Sequence, residues 1–320
     1  MSATPQRPIG SGFGARSSAD EVLDGIDLSG ALAVVTGGYS GIGIETVRAL
    51  VGAGAEVVVP ARRREHAERE LNGIDRVTVI ELDLGDLESV RAAAQRLLDA
   101  DRSIEILINN AAIMATPETR VGSGWEAQFA TNHLGHFAFA NQLWPLLERG
   151  DGARVVALSS SGHRNSGIRF DDLMFERDPY EKWAAYGQAK SANSLFAVQL
   201  DAFGQDRGVR AFAVNPGGIL TPLQRHLSGE EMERMMASVP NAEAELKTPQ
   251  QGAATSIWTA TSPALDGMGG VYCEDCEIAE PKPPDEQDRR EGVSRHAIDP
   301  DDAARLWRVS AELTGVDAFA

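Results

Sequence analysis

Cysteine is nearly absent from this chain: two residues in 320, Cys273 and Cys276. That excludes a disulfide scaffold and makes a reducing compartment the simpler setting. No apolar run approaches the roughly 18 residues a membrane helix needs. No apolar segment of the secretory type opens the sequence either, so a soluble cytoplasmic protein is expected. Positive charge is also scarce, with 30 Lys and Arg against 47 Asp and Glu and a net charge of −17. A field of that sign repels phosphate backbones and anionic lipid, which disfavours nucleic acid and membrane surfaces as partners. What remains, 42% hydrophobic residues, is ample for one continuous core.

Residues 1–18 are rich in Ser, Gly, Pro and Arg and read as a flexible arm. Gly10, Gly12 and Gly14 lie there, but no strand precedes them, so they are not taken as a phosphate loop. From residue 31 onward, short β-branched runs alternate with amphipathic stretches, the pattern of a parallel sheet with crossover helices. Strands are predicted at 31–36, 56–59, 77–82, 104–109, 153–159, 209–215 and 270–274. Ile44, Val47, Leu50 and Val51 form one helical stripe, and Leu87, Val90, Ala94 and Leu97 another behind Asp86. A last helix is expected from Pro300, capped by Asp299 and stopped by Gly315. A Pro- and charge-rich surface loop, 281–296, precedes it. Seven strands with alternating helices make one doubly wound α/β domain over 19–320, with no linker to divide it.

Between the first strand and its helix stands Thr36-Gly37-Gly38-Tyr39-Ser40-Gly41-Ile42-Gly43. Backbone N–H groups at a helix start can hold a pyrophosphate there. The spacing, G-x-x-x-G-x-G, differs from the usual dinucleotide fingerprint, and a purely structural turn is the alternative. After the second strand, Ala61 stands where an acidic residue would bind ribose hydroxyls, and Arg62 follows. A guanidinium there binds a 2′-phosphate, favouring NADP over NAD; the alternative is a solvated basic helix start paired with Glu65 and Glu68.

Tyr186 and Lys190 are four apart in a helical segment and so share a face. A phenol titrates near pH 10, and a base working at pH 7 needs roughly 4 kcal/mol of help, which a neighbouring ammonium and a positively charged oxidised nicotinamide have the right sign to give. Alone, the pair is more readily an ordinary surface contact. Its company distinguishes it: strand ends at Ser159-Ser160-Ser161, at Asn109-Asn110-Ala111-Ala112 and at Asn215-Pro216-Gly217-Gly218-Ile219-Leu220-Thr221 converge with the glycine turn on one crevice.

In these motifs the chain resembles the short-chain dehydrogenase/reductase family over about 28–315, nearly its whole length. Asn132-His133-Leu134-Gly135-His136-Phe137, Lys247-Thr248-Pro249 and Arg305-Leu306-Trp307 are similar to its retinol-dehydrogenase and WW-domain-oxidoreductase branch. The resemblance implies a Rossmann-type three-layer fold. It also implies Tyr186 as general acid/base, Lys190 as the partner that lowers its pKa and binds the nicotinamide ribose, Ser160 on the substrate oxygen, and Asn132 holding a water of a proton relay. Gly37, Tyr39, Ser40, Gly41, Ile42, Gly43, Arg62, Asp83, Leu84, Asn110, Ala111, Ala112, Pro216, Gly217, Ile219 and Thr221 would contact the cofactor. Asp83 would take the adenine amino group, and Thr221 with the Ile219 backbone would fix the carboxamide. A substrate lid is implied at about 222–246, and a homodimer or homotetramer by analogy. Ala112 stands where the family has glycine.

Cys273 and Cys276 have redox spacing but lie at a strand among acidic residues, and are expected to be structural. His133 and His136 lack an accompanying carboxylate, so they are expected in the core, with no metal site. Met232, Met235 and Met236 suit either an apolar pocket or plain helix packing. The reading is an NADP(H)-dependent oxidoreductase interconverting an alcohol and its aldehyde or ketone, on a small lipophilic substrate. The alternative is a catalytically silent dinucleotide-binding sensor or scaffold. A nucleotide-sugar epimerase would need a larger C-terminal portion.

Overall fold

The computed structural model describes residues 4–150, 152–237, 245–283 and 291–320. Its first strand shows why the apolar runs are continuous. In β1 (Leu32–Val35), Leu32 and Val34 join one apolar cluster while Ala33 and Val35 join another. A strand covered on both faces has no polar side to display. The pattern repeats through β2 (Glu56–Ala61), β3 (Val77–Glu81), β4 (Ile106–Asn109), β5 (Arg154–Leu158), β6 (Arg210–Asn215) and β7 (Val271–Glu274), closed by a short β8 (Glu277–Ile278).

The strand order is β8-β7-β6-β5-β4-β1-β2-β3, parallel throughout except at β7–β8. The order reverses between β1 and β4, and α/β sheets bind ligands in the crevice at such a point. One face is covered by α1 (Gly41–Gly52) and α5 (Pro249–Thr261), through Val47, Leu50, Ile257 and Trp258. The other carries α2 (Leu87–Ala100), α3 (Gly135–Gln142), α4 (Lys182–Gly204) and α6 (Pro300–Thr314), through Val90, Phe137, Phe196 and Trp307. The doubly wound three-layer α/β fold is therefore as expected. So are the caps: Asp86 and Asp299 accept from first-turn N–H groups, and Gly315 ends α6 at φ 67. Among the described residues, no helix is long and apolar enough to cross a membrane.

Three expectations are corrected. Among the described residues the sheet has eight strands rather than seven, because the chain reverses after Glu274 through Asp275 and Cys276, both with positive φ (53 and 57), into β8. β2 runs through Pro60 to Ala61; β1 pairs with β2 only as far as Val58, so the missing Pro60 N–H interrupts no ladder there. The loop at 281–296 is not all surface, since Val293 and Ser294 are buried. Its residues 284–290, like 238–244 of the expected lid, lie outside the described residues.

The arm also departs from its reading as flexible. The Gln6 side chain donates to Tyr272 O (2.7 Å) and Ala279 O (2.6 Å) and accepts from Tyr272 N (3.0 Å). The Glu277 carboxylate accepts from Ile9 N (2.8 Å), Gly10 N (2.8 Å) and Ser11 N (2.9 Å). The glycine cluster is thus a backbone nest around an internal anion, with Gly10 at φ 75. Glu277→Ala should lower the unfolding free energy by about 1–2 kcal/mol, as loss of charge-assisted bonds does. Urea unfolding reads this, with faster tryptic cleavage at Arg16, which Ser17 follows; an unchanged midpoint would show that the nest contributes nothing.

Candidate active site

At the switch point the two strand ends are laced together by Thr36. Its hydroxyl accepts from Asn110 N (2.9 Å) and Ala111 N (3.0 Å), while Asn110 Nδ2 donates to Thr36 O (2.7 Å). The glycine turn is held just above. A Cβ on Gly43 would stand 2.5 Å from Gly37 O, and Gly41 sits at φ +56, so neither position accepts a side chain without strain. Ser40 precedes α1 without a side-chain cap bond, Ile42 is half-buried, and Thr221 faces the turn with its Cβ 3.3 Å from where a Gly41 Cβ would lie.

Gly37, Tyr39, Arg62, Asp83, Leu84, Ala111 and Ala112 line one cleft. Its polar groups suit a dinucleotide: backbone N–H groups at a helix start, an acidic side chain at Asp83, and guanidinium charge beside β2. Asn110 is not among the residues that line this cleft; its Nδ2 donates to Thr36 O. Pro216, Gly217 and Ile219 follow β6 on the other flank, where Gly217 N donates to Asn215 Oδ1 (3.1 Å) and Ile219 is buried.

Tyr186 and Lys190 lie one turn apart on α4, both buried. Lys190 Nζ is 5.7 Å from the phenol ring centroid and donates to Leu158 O (2.8 Å). The Ser160 hydroxyl bonds the Tyr186 side chain and accepts from Gly162 N (3.0 Å). Ser159 instead donates to Lys190 O (2.8 Å), a packing role that separates it from its neighbour. Asn132 sits in a π-turn, Ala130–Leu134, within an otherwise α-helical run. Its side chain brackets the loop after β4, accepting from Ile113 N and donating to Ile113 O, both at 2.9 Å. Around the phenol, Met114, Trp183, Leu223 and Leu227 form an apolar wall.

Burial sets the electrostatics, and at Tyr186 in the chain alone it acts against the lowering expected there. Desolvation pushes the phenol up to about 12, against the Ser160 hydrogen bond, and pushes Lys190 down to about 7. The chain by itself therefore favours the neutral form of both groups. His133 and His136 are buried and depressed to about 3 and about 4, largely by desolvation, so both are neutral core histidines. Both cysteine thiols are buried and free, and burial raises Cys276 to about 11. Among the described residues, no group of three His, Cys, Asp or Glu is placed to hold a metal ion.

Four contacts escaped sequence reasoning. His136 Nδ1 lies 2.9 Å from Asn132 O, an acceptor only, so Nδ1 carries the proton and Nε2 accepts from the Thr36 hydroxyl (2.8 Å). His163 Nδ1 likewise donates to Ser160 O (2.6 Å), and its Nε2 accepts from Ser294 N (3.0 Å). A Cβ on Gly162 would stand 2.7 Å from the Tyr186 ring. Arg225 joins the cleft from the segment after Thr221. The only signal was Gly162-His163 directly after the strand-end serines.

Residues 31–232 match the family described as short chain dehydrogenase. A Streptomyces antibioticus protein named "Probable oxidoreductase" is 45% identical over 298 residues, covering 90% of this chain and 98% of that one. Retinol dehydrogenase 12 of Mus musculus is 36% identical, covering 91% and 88%. The solved Pseudomonas aeruginosa RhlG/NADP active-site complex is 28% identical with a TM-score of 0.63, covering 78% of this chain and 95% of that one. With its Rossmann-type order and its crevice at the switch point, the chain belongs to the short-chain dehydrogenase/reductase family of oxidoreductases.

Proposed function

We propose that the protein is an NADP(H)-dependent oxidoreductase that interconverts a lipophilic alcohol and its aldehyde or ketone. The observation that carries this is the meeting of Tyr186, Ser160 and Lys190 beside the glycine turn, under an apolar wall. The bound nicotinamide would supply the hydride; the chain supplies orientation and proton handling. In reduction, Ser160 donates to the carbonyl oxygen, and Tyr186 delivers its proton to that oxygen as charge develops there. A phenol held near 12 is fully protonated at neutral pH and ready for this direction. In oxidation, Tyr186 must first be ionised to the phenolate that accepts a proton, and from 12 that ionisation costs about 7 kcal/mol at pH 7. Lys190 in its charged form would lower that cost, and it would also donate to a ribose hydroxyl of the bound cofactor. Asn132 would hold the water of a proton relay, its main-chain oxygen already fixed by His136 Nδ1 at 2.9 Å. Arg62 gives NADP its preference, and Thr221 with Ile219 holds the carboxamide end.

A panel of lipophilic ketones and aldehydes, followed by absorbance of NADPH and NADH, tests the reading. Turnover is expected with at least some of them, faster with NADPH, and Arg62→Gln should narrow that difference. Equal rates with both cofactors in the parent chain remove the role given to Arg62. Cofactor binding without hydride transfer to any compound would favour a silent dinucleotide sensor.

A further inference from the structure

In a chain of net charge −17, a cluster of unpaired arginines calls for a reason. Arg64 pairs with Glu68 and Arg48 with Glu45. Among the described residues, no carboxylate lies within ion-pair distance of Arg62, Arg63 or Arg225. Yet Arg62 and Arg225 line the same cleft, with Tyr39 and Gly37 between the glycine turn and the end of β2. The like charges act on one another: beyond burial, the Arg62 and Arg63 guanidiniums disfavour the charge on Arg225. An arginine does not relieve such repulsion by losing its proton. A bound anion does relieve it.

Arg225 is held there by a rigid turn. Thr221 caps the short helix Pro222–His226, its hydroxyl accepting from Leu223 N (3.3 Å). Gln224 Oε1 accepts from Thr221 N (2.9 Å), and Gln224 Nε2 donates to Ile219 O (2.8 Å). Arg225 itself donates only to Pro222 O (3.1 Å) among the bonds the structure shows, so most of its five N–H donors face the cleft or solvent. The same turn sets Thr221 against Gly41 and Leu223 beside Tyr186.

We infer that Arg225 completes, with Arg62 and Arg63, a three-guanidinium clamp for the 2′-phosphate of the dinucleotide, so that the phosphate end of the cofactor fastens the segment covering the phenol. The inference rests on the proposed dinucleotide site. It assigns to a residue outside the glycine turn and β2 part of the discrimination between the two cofactors.

Titration calorimetry on the parent, Arg225→Gln and Arg62→Gln separates the possibilities, with NADPH, NADH, 2′-AMP and 5′-AMP as ligands. Loss of one charge-assisted contact corresponds to about tenfold or more in affinity. Arg225→Gln is expected to weaken NADPH and 2′-AMP by that factor while leaving NADH and 5′-AMP within about twofold. Circular dichroism of each variant checks that the fold is kept. Equal weakening of NADPH and NADH would place Arg225 on the pyrophosphate and overturn the inference. So would unchanged NADPH affinity in a parent that binds NADPH. A parent that binds neither dinucleotide would overturn the proposed site itself, and this clamp with it.

Discussion

Replacing Tyr186 with phenylalanine should leave NADPH binding within about twofold and lower turnover by about 10³, within the range for loss of a general acid. The geometry makes this substitution clean. The ring is buried against Gly162, where even one methyl would stand 2.7 Å from it, and packs beside Met114 and Trp183. Phenylalanine fills that space and removes only the hydroxyl and its bond with Ser160. Cofactor affinity is read by calorimetry and turnover by absorbance, so folding, binding and chemistry are separated. Undiminished turnover in this variant would remove the mechanism. A deficit appearing only in KM would make the tyrosine a binding group.

Lys190→Met should lose turnover by about 10²–10³ and gain stability, an exchange expected where a charge is kept for function. The sign follows from burial. Lys190 titrates near 7 when folded, against about 10.4 in an unfolded chain. Between those values the unfolded chain binds a proton that the folded chain does not, so stability rises with pH through that window. Below pH 7 both forms are protonated and the folded chain bears the whole desolvation penalty. Methionine removes the penalty and loses the bond to Leu158 O, which Asn193 Nδ2 still satisfies at 2.9 Å. The net gain at pH 6 is expected to be about 1–3 kcal/mol, well under the upper bound set by the shift. It should shrink as pH rises through 7 and vanish above about 10.5. Urea midpoints at pH 6 and pH 9 test this; a variant less stable than the parent at both would sink it.

Much of the fold was legible because burial on two faces leaves a simple mark. The runs at 31–36 and 153–159 needed only their apolar content to be recognised as β1 and β5, and Asp299 with Gly315 marked the bounds of α6. The eighth strand was illegible for a local reason. A two-residue hairpin with both residues at positive φ normally carries Asn-Gly or Asp-Gly, and here it carries Asp275-Cys276. The docking of the arm was illegible for a distant one, since Gly10 meets its partner 267 residues later. In the site, Tyr186, Lys190 and Ser160 stood out through their motifs. The direction of the Tyr186 shift did not, because it depends on how much water the fold excludes. Thr36, His136 and His163 each make at least one hydrogen bond to an element far away in sequence, and no spacing announces such a bond.

The sheet ends at β8 in a strand only two residues long, and where it stops the Gln6 amide takes up both main-chain groups of Tyr272. An unpaired margin of that kind is the template on which sheets of neighbouring molecules add to one another. By laying its own leader across this border and clasping it with Glu277, the chain closes one route to runaway assembly with a polar, reversible strap. Any stable association between copies must then be built on helix faces, on the far margin at β3, or after the strap has been lifted.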